Sequence, residues 1–225
     1  MKKLLLFTVL LLSGMTIYAQ EFHFGAKLGG AITNLSVSNA EDGAPNADSK
    51  FGFYLGVAGE YMFNDQFAIA PELEIATAGA KSTADSSETQ YGITVTTSGS
   101  EDIKMLYLNV PIMFKYYANE NISLDFGPQL GFLMSAKYDY DYKVKAVDDT
   151  GSVLYENSDS EKDADIKDEF NSTDFGLNIG ATYKMESGFF INARYYLGLS
   201  NIGKDTGDAT IKNTAIKFGV GYFFN

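Results

Sequence analysis

Glu72 and Glu74 stand two residues apart, a spacing that places both carboxylates on one face of an extended strand and offers a formal acid and base pair. His23 is the only histidine and the chain has no cysteine, so a His-His metal pair is excluded and a serine or cysteine triad has little support. The run from Asp159 through Glu161, Asp163 and Asp165 alternates acids as a calcium loop does. It lacks the turn-forming Gly at the sixth position and the Glu at the twelfth that an EF-hand loop uses. Gly29-Gly30 opens no helix and therefore makes no phosphate cradle. These residues point to no catalytic centre, cofactor or metal. The glutamate pair reads as half of a set of ion pairs with Lys27, Arg194 and Lys217, and the acidic run as a solvated surface segment.

The elements that position these residues alternate with the period of a strand. Eight segments carry the pattern, beginning with Phe22 to Ile32, Phe51 to Phe63 and Phe67 to Ile75. Leu106 to Tyr116, Ile122 to Met134, Phe175 to Tyr183, Phe189 to Leu199 and Ile216 to Phe224 complete the set. Each is close to the 9–11 residues that a tilted strand needs to cross a bilayer. Three connections are tight and polar: Asn64-Asp65-Gln66, Asn119-Glu120-Asn121 and Glu186-Ser187-Gly188. They alternate with long ones, Thr33 to Lys50, Lys81 to Glu101, Tyr140 to Ser172 and Ser200 to Lys212. Short turns at one end and long loops at the other are the asymmetry of an outer-membrane barrel. The expected fold is all-β, an eight-stranded antiparallel up-and-down transmembrane barrel with long extracellular loops.

At the N-terminus, Lys2 and Lys3 precede the apolar run Leu4 to Leu12. That run is about half the length of a membrane-spanning helix, so residues 1–19 are expected to be a signal peptide and residues 20–225 the barrel. The net charge of −12 becomes more negative once that leader is removed, which argues against nucleic acid as a partner.

A soluble eight-stranded barrel would turn its apolar face inward. Here the apolar face is bulky and the other is rich in Gly, Ala and Ser, and an eight-stranded interior has room only for the smaller set. The small face also carries Lys27, Glu60, Glu72, Glu74, Lys115, Asp125, Lys184, Arg194 and Lys217. Five cations and four anions can pair in a narrow lumen, whereas each Lys or Arg facing lipid at mid-bilayer costs roughly 2–4 kcal/mol. Phe22, Phe63, Phe67, Tyr116, Tyr183, Phe189 and Tyr222 fall near strand ends, as an interfacial girdle requires.

Several stretches carry a family resemblance: Leu106-Tyr107-Leu108-Asn109-Val110-Pro111, Phe126-Gly127-Pro128-Gln129-Leu130-Gly131 and Asp174 to Ala181. Ala193-Arg194-Tyr195-Tyr196-Leu197-Gly198-Leu199-Ser200-Asn201-Ile202 and the closing Gly219-Val220-Gly221-Tyr222-Phe223-Phe224 continue it. In this order they resemble the outer-membrane barrel domain of the "porin family" or PorT-like proteins of Bacteroidota. The resemblance implies an outer-membrane location, contact with outer-membrane lipid and delivery by the barrel-assembly machinery; it implies no reaction. The last strand of such barrels usually ends on an aromatic, and here Asn225 follows Phe224.

The expected role is a membrane scaffold whose surface loops bind a protein or surface ligand, with recognition residues Asp148, Asp149, Glu156, Asp159, Glu161, Asp163 and Asp165 in the longest, most acidic loop. Passage of small solutes through the lumen is the competing expectation, and hydrolysis of lipid or peptide at the outer leaflet the third.

Overall fold

The computed structural model describes residues 22–39 and 48–224. The expected leader, part of the first long connection and Asn225 lie outside the described residues.

Nine strands are present among the described residues: β1 Phe22–Ser38, β2 Lys50–Met62, β3 Phe67–Gln90, β4 Ile93–Tyr117, β5 Ile122–Val147, β6 Val153–Asp165, β7 Thr173–Lys184, β8 Phe189–Gly198 and β9 Thr210–Phe224. Eight of them form an antiparallel ring, in which β5 pairs with β7 and the first strand closes on the last through Gly25 opposite Phe223. Closure matters because every backbone N–H and C=O in lipid needs a partner from the protein. The pleat sends alternate side chains out, so that Phe51, Leu55, Phe126, Ile179 and Phe218 stand exposed on the wall while Glu60 is 0 % exposed. A soluble barrel, with these apolar residues inside, is excluded by that placement.

Two of the expected long loops are strands. The segment from Lys81 to Glu101 is the upper part of β3 and β4, paired residue by residue up to Gln90 opposite Ile93 and reversed at Tyr91-Gly92. Gly92 takes a positive φ of 78° at that turn, a conformation glycine adopts without strain. The segment from Tyr140 to Ser172 holds the upper part of β5, all of β6 and one 3-10 turn at Lys167–Glu169. Ser, Thr and Asp at these positions favour loops, but cross-strand pairing overrides their weak strand preference. β9 likewise begins at Thr210, within the connection expected from Ser200 to Lys212.

β3, β4 and β5 run 24, 25 and 26 residues, well beyond one membrane crossing. Their outward residues change from Leu106, Leu108 and Ile112 to Lys104 and Asp102 on β4, and from Met134 to Lys137, Asp139 and Asp141 on β5. The apolar band ends there, and the upper parts stand outside the membrane. Among the described residues β6 pairs only with the upper part of β5, giving a four-stranded extramembrane sheet in the order β3-β4-β5-β6.

The ring has a seam between β2 and β3. Main-chain pairing of β2 with β3 stops at Tyr54 opposite Ala76 and resumes at the bridge between Asp48 and Lys81. Thr77 Oγ1 bridges the interval, accepting from the Phe53 N–H at 2.8 Å and donating to the Phe53 carbonyl at 3.3 Å. Thr33 Oγ1 donates to the Gly79 carbonyl at 3.0 Å.

Candidate functional site: ionic lumen and extramembrane sheet

The strand period turns all nine charged residues of the small face into the lumen, and the structure gathers them into two groups. Near the short turns, Glu60 accepts from Lys115 Nζ, Lys184 Nζ and the Tyr117 hydroxyl, each at 2.8 Å. One strand layer higher, Arg194 donates to Glu72 at 2.8 Å and to Asp125 at 3.3 Å. Lys27 bridges Glu72 and Glu74, and Lys217 donates to Glu74 at 2.6 Å. Asp125 also accepts from Ser123 at 2.7 Å and Thr182 at 2.6 Å. Both carboxylates of the Glu72–Glu74 pair are thus engaged by cations. His23 lies at the turn end of β1 with its ring edge-on to Phe223, centroids 6.2 Å apart.

Tyr54 reaches across the lumen above this layer. Lys27 and Lys217 lie 5.5 and 5.2 Å from its ring centroid, and its hydroxyl donates to Asn192 Oδ1 at 3.1 Å. A Cβ on Gly219 would sit 1.9 Å from the Tyr54 oxygen, so only glycine leaves room for this crossing.

The acidic recognition residues lie on a turn and a strand. Asp148 and Asp149 occupy the β5–β6 turn, where Asp148 accepts from the backbone N–H groups of Thr150 and Ser152 at 2.9 and 2.8 Å. Glu156, Asp159, Glu161, Asp163 and Asp165 lie on β6. Extended geometry sends Asp159 and Glu161 to one face, opposite Tyr142 and Tyr140, and Glu156 to the other, opposite Lys145. The EF-hand-like run is therefore splayed along a strand. Among the described residues no group of His, Cys, Asp or Glu is arranged to hold a metal ion.

The two sheet faces differ in charge. The outward face is ion-paired: Lys104 with Asp139, Lys137 with Asp163 at 3.5 Å, and Lys143 with Glu156 at 2.9 Å. The hydrogen bond from Lys104 holds the Asp139 carboxyl below its ordinary value, and that from Lys143 does the same for Glu156. The face that continues the lumen side carries Tyr138, Tyr140 and Tyr142 with Glu101, Asp159 and Glu161, and Tyr140 donates to Asp159 at 3.1 Å.

Residues 18–203 match the outer membrane protein beta-barrel domain family, most of the chain. The chain belongs to that family. This outer membrane barrel accordingly resides in the outer membrane, in contact with its lipid. Among solved structures it is similar to Ail, the attachment invasion locus protein of Yersinia pestis, solved in complex with the heparin analogue sucrose octasulfate. The identity is 20%, over 91% of this chain and 100% of that one, with a TM-score of 0.43. Neisserial surface protein A is 15% identical over 89% of this chain and 97% of its own, TM-score 0.40. OprG from Pseudomonas aeruginosa is 14% identical over 91% and 97%, TM-score 0.38. No curated protein matches the barrel.

Two lumen layers of the outer membrane barrel escape a search for charge. Above Tyr54 lies a mostly neutral polar layer. Asn178 donates to Gln129 at 3.1 Å, Asn213 donates to Asp174 at 2.9 Å and to the Tyr107 hydroxyl at 3.2 Å, and Ser200 donates to Asp174 at 3.1 Å. Above it sits an apolar cluster of Leu35, Ala80, Met105, Leu133, Ala136, Phe170 and Ile202. Inward alternation marks most of these positions. Phe170 and Ile202 sit in connections, where no period marks a direction.

Proposed function

We propose that this outer membrane barrel is a non-enzymatic scaffold that presents its extramembrane sheet to a protein or surface ligand. The observation that carries this reading is β6, which among the described residues pairs on one side only and is exposed along nearly its whole length. An open strand edge offers a row of backbone donors and acceptors to an extended segment of another chain. Beside it lie Tyr140, Tyr142, Asp159 and Glu161, side chains able to select the segment that docks.

A solute channel is the weaker reading, because the ionic layer and the apolar cluster both cross the lumen. We further propose that residues 1–19 are a signal peptide, that the barrel-assembly machinery inserts the rest, and that the chain is of the PorT-like type. The test is capture of surface partners from intact cells by the full chain and by a chain lacking Asp148 to Asp165. Loss of capture with unchanged heat-modifiable migration on gels supports the scaffold reading; equal capture by both overturns it.

A further inference from the structure

Between the ionic layer and the apolar cluster the lumen holds a chamber. Tyr54 and Lys217 form its floor, with Thr33, Asn109, Gln129 and Asn213 among its walls. About 30 Å³ of it is open to the centre of a water molecule. At 10–15 Å³ for each, that is space for roughly two waters in contact with the walls.

Asn213 supplies the reason for a ligand. The residue is 4 % exposed, its Nδ2 is used by Asp174 and Tyr107, and its Oδ1 has no hydrogen-bond partner from the protein. Such an acceptor buried without a partner keeps its full desolvation penalty, which a bound water removes. The neighbouring Asn109, Gln129 and Thr33 offer the two to four polar contacts a buried water needs.

The ceiling belongs to the connections. Phe170 and Ile202 enter the apolar cluster from the β6–β7 and β8–β9 segments, which clasp each other. The Asn171 N–H donates to the Ile202 carbonyl at 2.7 Å, the Lys204 N–H to the Glu169 carbonyl at 2.9 Å, and Asn171 Nδ2 to the Asn201 carbonyl at 2.9 Å. Leu35, Ala80 and Met105 stand one inward position above the chamber residues Thr33, Ala78 and Tyr107 on their strands, so the cluster lies directly over it.

We infer that this chamber binds a small cluster of ordered water around Asn213, and that a stopper of Phe170 and Ile202 separates it from the cell surface. The absence of cysteine makes the test clean. Ala76 lines the chamber and is small enough for Ala76→Cys to be tolerated. A small methanethiosulfonate added outside should modify Ala76→Cys about 100-fold more slowly than a turn control, Thr150→Cys, the protection of a site reached only by local opening. Adding Phe170→Ala and Ile202→Ala should remove most of that protection, with heat-modifiable migration confirming a closed barrel. Equal rates at Ala76→Cys and Thr150→Cys, or protection that survives in a folded stopper variant, overturn the seal. Where the stopper variant does not fold, the unmodified barrel decides: water-to-protein NMR transfer should reach the Asn213 side-chain amide with long-lived water, and no transfer overturns the water site.

Discussion

Arg194 on β8 donates to Glu72 on β3 at 2.8 Å, joining two strands that stand opposite each other in the eight-stranded ring. Glu60 on β2 makes the same kind of link to Lys184 on β7, also across the ring. Backbone pairing closes the wall, and these side chains tie it through the middle.

Removing one member of such a pair leaves its partner charged and buried, at a cost of about 3–5 kcal/mol, whereas replacing both with apolar groups is often far cheaper. Arg194→Met should therefore lower the urea midpoint of the heat-modifiable form strongly. Adding Glu72→Leu should recover part of that loss, because Lys27 keeps Glu74 and Asp125 keeps Ser123 and Thr182. Additive losses in the double variant contradict a coupled pair.

The ring was legible in the sequence because lipid enforces strict alternation: bulky Phe126, Ile179 and Phe218 outside leave Asp125, Gly180 and Lys217 inside. The same alternation puts the nine charged residues on one face. Above the membrane that constraint ends. Residues such as Ser82, Thr96, Asp141 and Ser158 are equally content in loops, so the extramembrane strands left no periodic apolar signal. Phe170 and Ile202 became readable only once the connections were seen to fold into the mouth.

The extramembrane sheet should loosen in acid before the barrel does. Asp139 and Glu156 have their carboxyl pKa values lowered by Lys104 and Lys143 from ordinary values of 3.8 and 4.5. Their contribution is present above those ordinary values and is lost as pH falls through the lower folded values. Amide exchange in β6, corrected for intrinsic rate, should accelerate below about pH 4 while the ring amides of β7 and β8 stay protected. Exchange in β6 that is flat across this range contradicts a stabilising role for these pairs.

The acids of β6 also bear on what the open edge excludes. An unprotected edge strand pairs readily with another copy of itself, and charged side chains are a common means of preventing it. β6 carries Glu156, Asp159, Glu161, Asp163 and Asp165 against Lys162 alone, so two copies meeting edge to edge bring like charges together. Cross-strand repulsion between directly opposed like charges is unfavourable, and salt weakens it at exposed sites. Neutralising the set with Glu156→Gln, Asp159→Asn, Glu161→Gln and Asp163→Asn should therefore convert a monodisperse detergent-solubilised barrel into a self-associating one. High salt should move the unaltered chain in the same direction, though less far. Light scattering after size exclusion reads both effects, and deleting Asp148 to Asp165 from the neutralised chain should abolish the association. A neutralised chain that stays monodisperse contradicts the assignment of β6 as an edge kept open by charge, and association that survives the deletion places the contact elsewhere on the barrel.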